Sequence, residues 1–165
     1  MANYRDNLPQ LAGKTMLTDG GLETTLIFHD GYDLPEFAAY VLLESQDGIE
    51  HLKNYSRRYA TIAKENGMGF LLETPTWRAS QNWGTKIGHT PDDLDRLNRL
   101  SVALLEGIRV EFESEDCPCV ISGQIGPEGD GYSPDGFLSA KEAEKYHTPQ
   151  VTSMAEAGAD MVCAQ

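Results

Sequence analysis

The residues of this chain best placed to do chemistry are carboxylates and glycines set at the ends of apolar runs. In "TDGGLETT", Thr18 to Thr25, an acid and two glycines follow "ML" directly. One reading is a tight turn, with Gly20 and Gly21 supplying positive φ and Asp19 accepting turn amides. The other is a ligand site. Asp19 would point into a pocket, and the glycines would let a ligand approach the backbone and offer N–H groups to its carboxylate. A ligand carrying both an ammonium and a carboxylate suits such a site, which makes an amino acid the natural candidate. "LLETPTWRAS" repeats the arrangement: Glu73 closes an apolar run, and Thr74 and Thr76 follow as hydroxyl donors. Trp77 and Trp83 are expected to pack against the rim. "SGQIGPEGDGY", Ser122 to Tyr132, is too irregular for a dinucleotide fingerprint and lacks a phosphate-loop lysine, so its glycines are expected to shape a loop that closes on the pocket.

Four apolar runs must carry these groups: Thr15 to Asp19, Gly69 to Glu73, Cys119 to Gln124 and Asp160 to Gln165. Helical patterns follow the first three. One runs from about Asp47 to Asn66, and a second starts at Thr90-Pro91 as cap and first helical residue. The third opens with the capping box Ser139 to Glu142, is interrupted near Pro149 and ends at Gly158. The order β-α-β-α-β-α-β predicts a parallel sheet covered by helices, either a barrel or an open sheet. Functional groups collect where such strands end, which is where Asp19, Glu73, Gln124 and Gln165 fall. Alternation places Leu17 with Asp19, Leu71 with Glu73, and Cys163 with Gln165. The long segments Gly20 to Gln46 and Ile125 to Leu138 read as loops at the same end.

Composition narrows the partners. The 165 residues, 40% apolar, suit one globular domain, and a net charge of −13 repels nucleic acid and anionic lipid. No run approaches the roughly 20 apolar residues of a spanning helix, and the opening segment has no signal-peptide core, so a cytoplasmic protein is expected. Three cysteines without an export signal read as reduced packing thiols. His29, His51, His89 and His147 share no metal-ligand spacing and are expected in solvated or capping roles.

"TDGGLETTL", "LLETPTWRAS", "SGQIGPEGDGY" and "YHTPQVTSMAEAGADMVCAQ" resemble, in order and spacing, the amino-terminal half of the homocysteine S-methyltransferases. The resemblance implies a (β/α)₈ barrel of TIM type, of which residues 1–165 supply about the first four βα units, a half-barrel. It implies a zinc-held homocysteine thiolate that attacks the methyl group of a donor such as S-methylmethionine, giving methionine. By motif position Asp19 would hold the homocysteine ammonium, and the Gly20 and Gly21 amides would meet its carboxylate. Glu73, Thr74 and Thr76 would line the same pocket. Trp77 or Trp83 would offer a face to a cationic methyl donor.

Two departures qualify it. Gln165 stands where the family has a glutamate, which keeps a carbonyl acceptor and loses the charge. The family's three zinc cysteines belong to the carboxy-terminal half, and Cys117, Cys119 and Cys163 do not match them, so no zinc ligand is assigned. A half-barrel would leave the first and fourth strands as edges, with Leu17, Leu71, Met161 and Cys163 facing the missing half, which predicts self-association or a complementary carboxy-terminal partner. Two alternatives stand beside the enzyme: a non-catalytic homocysteine-side binding or assembly module of a split barrel, and a different α/β enzyme using Asp19 and Glu73 as acid and base.

Overall fold

The computed structural model describes residues 2–131 and 136–165. Its four strands are β1 (Met16–Leu17), β2 (Gly69–Glu73), β3 (Cys119–Ile125) and β4 (Met161–Ala164). They form one sheet in the order β1-β2-β3-β4, and every neighbouring pair is parallel. Five helices accompany them: α1 (Leu22–Thr24), α2 (Gln46–Glu65), α3 (Gln81–Ile87), α4 (Pro91–Phe112) and α5 (Ala140–Ala157). Because right-handed crossovers between strands in sequential order put their helices on one side, the sheet has one covered face and one open face.

Local chemistry sets the long helices. The Ser45 hydroxyl caps α2 by accepting from the Gly48 N–H at 3.0 Å. Thr90 with Asp93 and Ser139 with Glu142 form reciprocal capping boxes that start α4 and α5. Gly158, at φ 104°, closes α5 in the left-handed region that glycine favours.

Strand register decides which side chains share a face. Phe70 and Leu72 of β2 pair with Cys119 and Ile121 of β3, and all four are buried in the core with Leu52, Ala60, Ala63, Leu97 and Leu105 of α2 and α4. Leu71 and Glu73 pair with Val120 and Ser122, and Ser122 and Gln124 pair with Met161 and Cys163, so these form the second face, open only in part: Val120 and Ser122 are fully buried, and Leu71, Met161 and Cys163 are half-buried.

Several expectations are corrected. Leu17 pairs with Phe70 and packs on the helix-side core, so Met16, not Leu17, lies on the open face. A strand of two residues leaves the chain free to turn before Asp19, and period-two alternation does not carry across that turn. Helix α5 runs unbroken through Pro149. Proline there removes one hydrogen bond and costs about 3 kcal/mol, but α5 buries Gln150, Ser153 and Met154 just beyond it, and this packing outweighs the local preference. The segment between β1 and α2 is no plain loop. It forms α1, a wider turn over Thr25–His29 and tight turns at Pro35–Phe37 and Ala39–Glu44, and it buries Leu26, Ala38, Ala39, Tyr40 and Leu43. Helix α3 is an element beyond the three helical patterns read from the sequence.

Below the sheet, Asp160 fastens the fold. Its Oδ1 accepts the N–H groups of Asn3 and Tyr4 at 2.7 and 2.9 Å, and its Oδ2 accepts the Ile121 N–H at 2.9 Å. The same oxygen pairs with the Arg109 guanidinium of α4, and both side chains are buried.

Candidate functional site

A cavity of about 500 Å³ opens at the carboxyl ends of the strands. Its wall includes Asp19, Gly20, Gly21, Glu23, Glu73, Thr74 and Gln165, so six of the seven residues singled out in the sequence meet there. Thr76 stands behind the wall, fully buried. Its hydroxyl donates to the Gln124 carbonyl at 2.8 Å and lies 2.6 Å from the Thr74 hydroxyl, which in turn accepts the Gln124 N–H at 2.9 Å. The two threonines thus lock the ends of β2 and β3 together. Gln124 then donates its side-chain amide to Glu73 at 2.7 Å and fixes that carboxylate. Gln165 is exposed, and its N–H donates to the Ile125 carbonyl at 3.1 Å.

Gly20 is needed for space, and neither glycine is needed for positive φ. Gly21 has φ −105°, and Gly20 is likewise outside the left-handed region. A Cβ at Gly20 would lie 2.7 Å from the Tyr59 hydroxyl. Among the described residues neither glycine donates its N–H to a backbone acceptor.

Of the four carboxylates in the cavity wall, burial pushes Asp19, Glu23 and Glu73 above the usual carboxylate range. Asp19 is raised to about 7, first by burial and then by the charge of Glu73, while the nearby Tyr55 hydroxyl pulls the other way. The Tyr55 oxygen is itself buried without a well-aligned partner. Glu23 and Glu73 are raised chiefly by burial, with Arg78 opposing the shift at Glu23 and Gln124 opposing it at Glu73. Desolvated carboxylates with so little compensation favour a cationic occupant.

Sequence reasoning missed Glu23 and Arg78. Glu23 sits four residues after Asp19, and the short α1 turns it back into the cavity. Among the described residues of the wall Arg78 is the one basic side chain; its guanidinium lies 3.9 Å from the Trp77 ring centroid and 3.6 Å from that of Trp83. The only signal was its position between two tryptophans. Both indoles therefore already face a protein cation, and Lys86 lies 3.9 Å from Trp83 as well. Trp83 does not line the cavity; its Nε1 donates to the Pro127 carbonyl at 3.0 Å.

The glycine-rich segment after β3 forms a lip, with Asp130 in the cavity wall. A Cβ at Gly126 would lie 2.5 Å from the Trp77 carbonyl oxygen, so only glycine lets the two segments meet. Tyr132, the end of that motif, and residues 133–135 of the segment expected as a loop lie outside the described residues.

Residues 16–165 match the sequence model of the homocysteine S-methyltransferases. The chain belongs to the homocysteine S-methyltransferase family. Its fold is similar to that of the homocysteine methyltransferase MmuM from Escherichia coli. Against the metallated form the TM-score is 0.68 at 23% identity, covering 96% of this chain and 56% of MmuM. Against the oxidized form it is 0.68 at 22%, covering 94% and 53%. The chain thus spans little more than half the length of these structures. No curated protein sequence matches it.

The zinc implied by the family is not matched by the donors present. Cys117 and Cys119 are fully buried, Cys119 on the helix side of the sheet, and burial with Cys117 beside it pushes the Cys119 thiol up to about 12. A metal-binding cysteine needs the opposite shift. Cys163 is half-buried on the open face. Among the described residues no three His, Cys, Asp or Glu side chains converge to hold a metal. His51 meets Asp30 at 2.8 Å, and His89 lies between Tyr40 and Glu44. Among the described residues no helix is long and apolar enough to cross a membrane.

Proposed function

We propose that this chain forms the homocysteine-binding side of a cytoplasmic homocysteine S-methyltransferase, which transfers a methyl group from a donor such as S-methylmethionine to the homocysteine thiol. The observation that carries this reading is the convergence of three desolvated carboxylates beside the Gly20 and Gly21 amides, at the carboxyl ends of parallel strands. Asp19 and Glu73 accept the substrate ammonium. The amides of Gly20 and Gly21 receive its carboxylate. Gln124 orients Glu73, while Thr74 and Thr76 hold the strand ends that carry both. Gln165 contributes a neutral carbonyl acceptor where the family has a charge.

In this reading residues 1–165 are the first half of a (β/α)₈ barrel, and a further half, in the same polypeptide or a separate chain, covers the open face and supplies the group that activates the thiol. Calorimetric titration with L-homocysteine tests the binding half of the proposal. Weak binding is expected, falling roughly 10- to 100-fold in Asp19→Asn and Glu73→Gln, the range of a charge-assisted hydrogen bond. Equal binding by all three proteins would contradict it. The cysteine placement also favours a second reading, a non-catalytic module of a split barrel. Homocysteine binding without methionine production, after a carboxy-terminal half from a related enzyme is added, would select that reading.

A further inference from the structure

Arg78 is 6% exposed, yet it borders a cavity, and its hydrogen-bonding capacity is hardly used. Its Nε is buried without a partner, and Nη1 reaches only the Gly129 carbonyl, at a long 3.4 Å. Trp77 and Trp83 fix the guanidinium by its faces, which leaves the N–H edge to bind in its own plane. Rigid, desolvated and two-pronged, such an edge matches a carboxylate.

Its place in the cavity says whose carboxylate. The acids whose charge Arg78 feels most are Asp130 and Glu36, with Glu23 further down the order. Asp19 instead feels Glu73 first and then Glu23. The contacts agree: Gly20 lies against Tyr59 of α2, whereas Arg78 reaches Gly129, next to Asp130, so Asp19 with the glycines and Arg78 hold different parts of the wall, and Glu23 feels the charges of both Arg78 and Glu73. The Arg78 end is the mouth, where exposed Phe37 and Asp130 line the wall. Glu36 and Phe37 adopt φ of 53° and 58° there, a backbone conformation unfavourable for side chains of this size.

We propose that Arg78 is a specificity-determining residue that receives the acid group of the methyl donor, so that the site selects cationic methyl donors that also carry a carboxylate. The proposal rests on the homocysteine reading above. The donor's cationic centre then lies toward Glu23, in the interior, and its carboxylate at the mouth. The donor is thereby held by both ends with its methyl group directed at the homocysteine end.

The test uses two probes, S-methylmethionine and its methyl ester, titrated into the chain with and without homocysteine and followed by tryptophan emission. The wild type should bind the acid roughly 10- to 100-fold more tightly than the ester. Arg78→Gln should abolish that preference and Arg78→Lys should retain part of it, with homocysteine affinity unchanged in both. Equal affinity of the wild type for acid and ester overturns the proposal, as does a preference that survives Arg78→Gln. A parallel loss of homocysteine binding in both variants overturns it too, because it would mark a structural role. If homocysteine itself fails to bind the wild type, the functional reading falls and this proposal with it. If homocysteine binds and neither donor form does, this proposal alone falls.

Discussion

Replacing Asp19 by asparagine keeps the side chain's shape and an acceptor for the Tyr55 hydroxyl, and removes only a charge that the fold holds at a cost. Folding moves this carboxyl from its ordinary value of 3.8 to about 7, chiefly by burial and by Glu73. Between those two values the folded chain binds more protons than the unfolded chain, so Asp19 lowers stability as pH rises through this window. At ~1.36 kcal/mol per tenfold change in the proton equilibrium, the full displacement corresponds to about 4 kcal/mol. Asp19 is half-buried and water still reaches it, so a gain of about 2–4 kcal/mol is expected for Asp19→Asn above pH 7. Near pH 4 the folded wild type is already protonated and the gain should vanish. Urea unfolding followed by tryptophan fluorescence at pH 4 and pH 8 measures both limits. The difference between variant and wild type cancels the titration of distant acids and retains that of Glu73 and Glu23, whose charges act on Asp19. A gain of the same size at both pH values, or a loss at pH 8, would refute the claim that a desolvated carboxylate waits in this cavity for a cation.

Four further outcomes are expected. Homocysteine affinity should rise about tenfold per pH unit below pH 7 and level off above it, since the ammonium prefers ionised Asp19; calorimetry across pH 6 to 8 would expose a flat profile as contrary. Asp160→Ala removes the buried partner of Arg109, leaving it Glu106 at 3.5 Å, and the acceptor of three backbone N–H groups, and should cost about 3–5 kcal/mol, so an unchanged urea midpoint would count against the role given to Asp160. Gly20→Ala should collide with the Tyr59 hydroxyl and weaken homocysteine binding, and adding Tyr59→Phe, which removes the colliding oxygen, should restore it. The open face carries Met16, Leu71, Met161 and Cys163 beside strand edges at β1 and β4, so light scattering should show self-association; a monomer that binds no apolar dye would contradict the half-barrel.

What the sequence determined by itself is local. The caps at Thr90 and Ser139 sit within three residues of their partners, and the β2 and β3 runs announce themselves by composition, so the alternation of strands and helices could be read directly. The same alternation put Glu73 at a strand end and Asp19 just beyond one. Tertiary structure decided everything that depends on a neighbour distant in the chain. Pairing with β2 turned Leu17 to the helix side, and packing beyond Pro149 carried α5 through a residue that would stop an isolated helix. The chain's path over the strand ends brought Glu23 and Arg78 into the cavity and gave Asp19 its raised pKa. A carboxylate's sequence neighbours fix its position along a strand. Its charge state depends on how much water the rest of the fold excludes and which charges it leaves nearby, and both are sums over residues scattered through the chain.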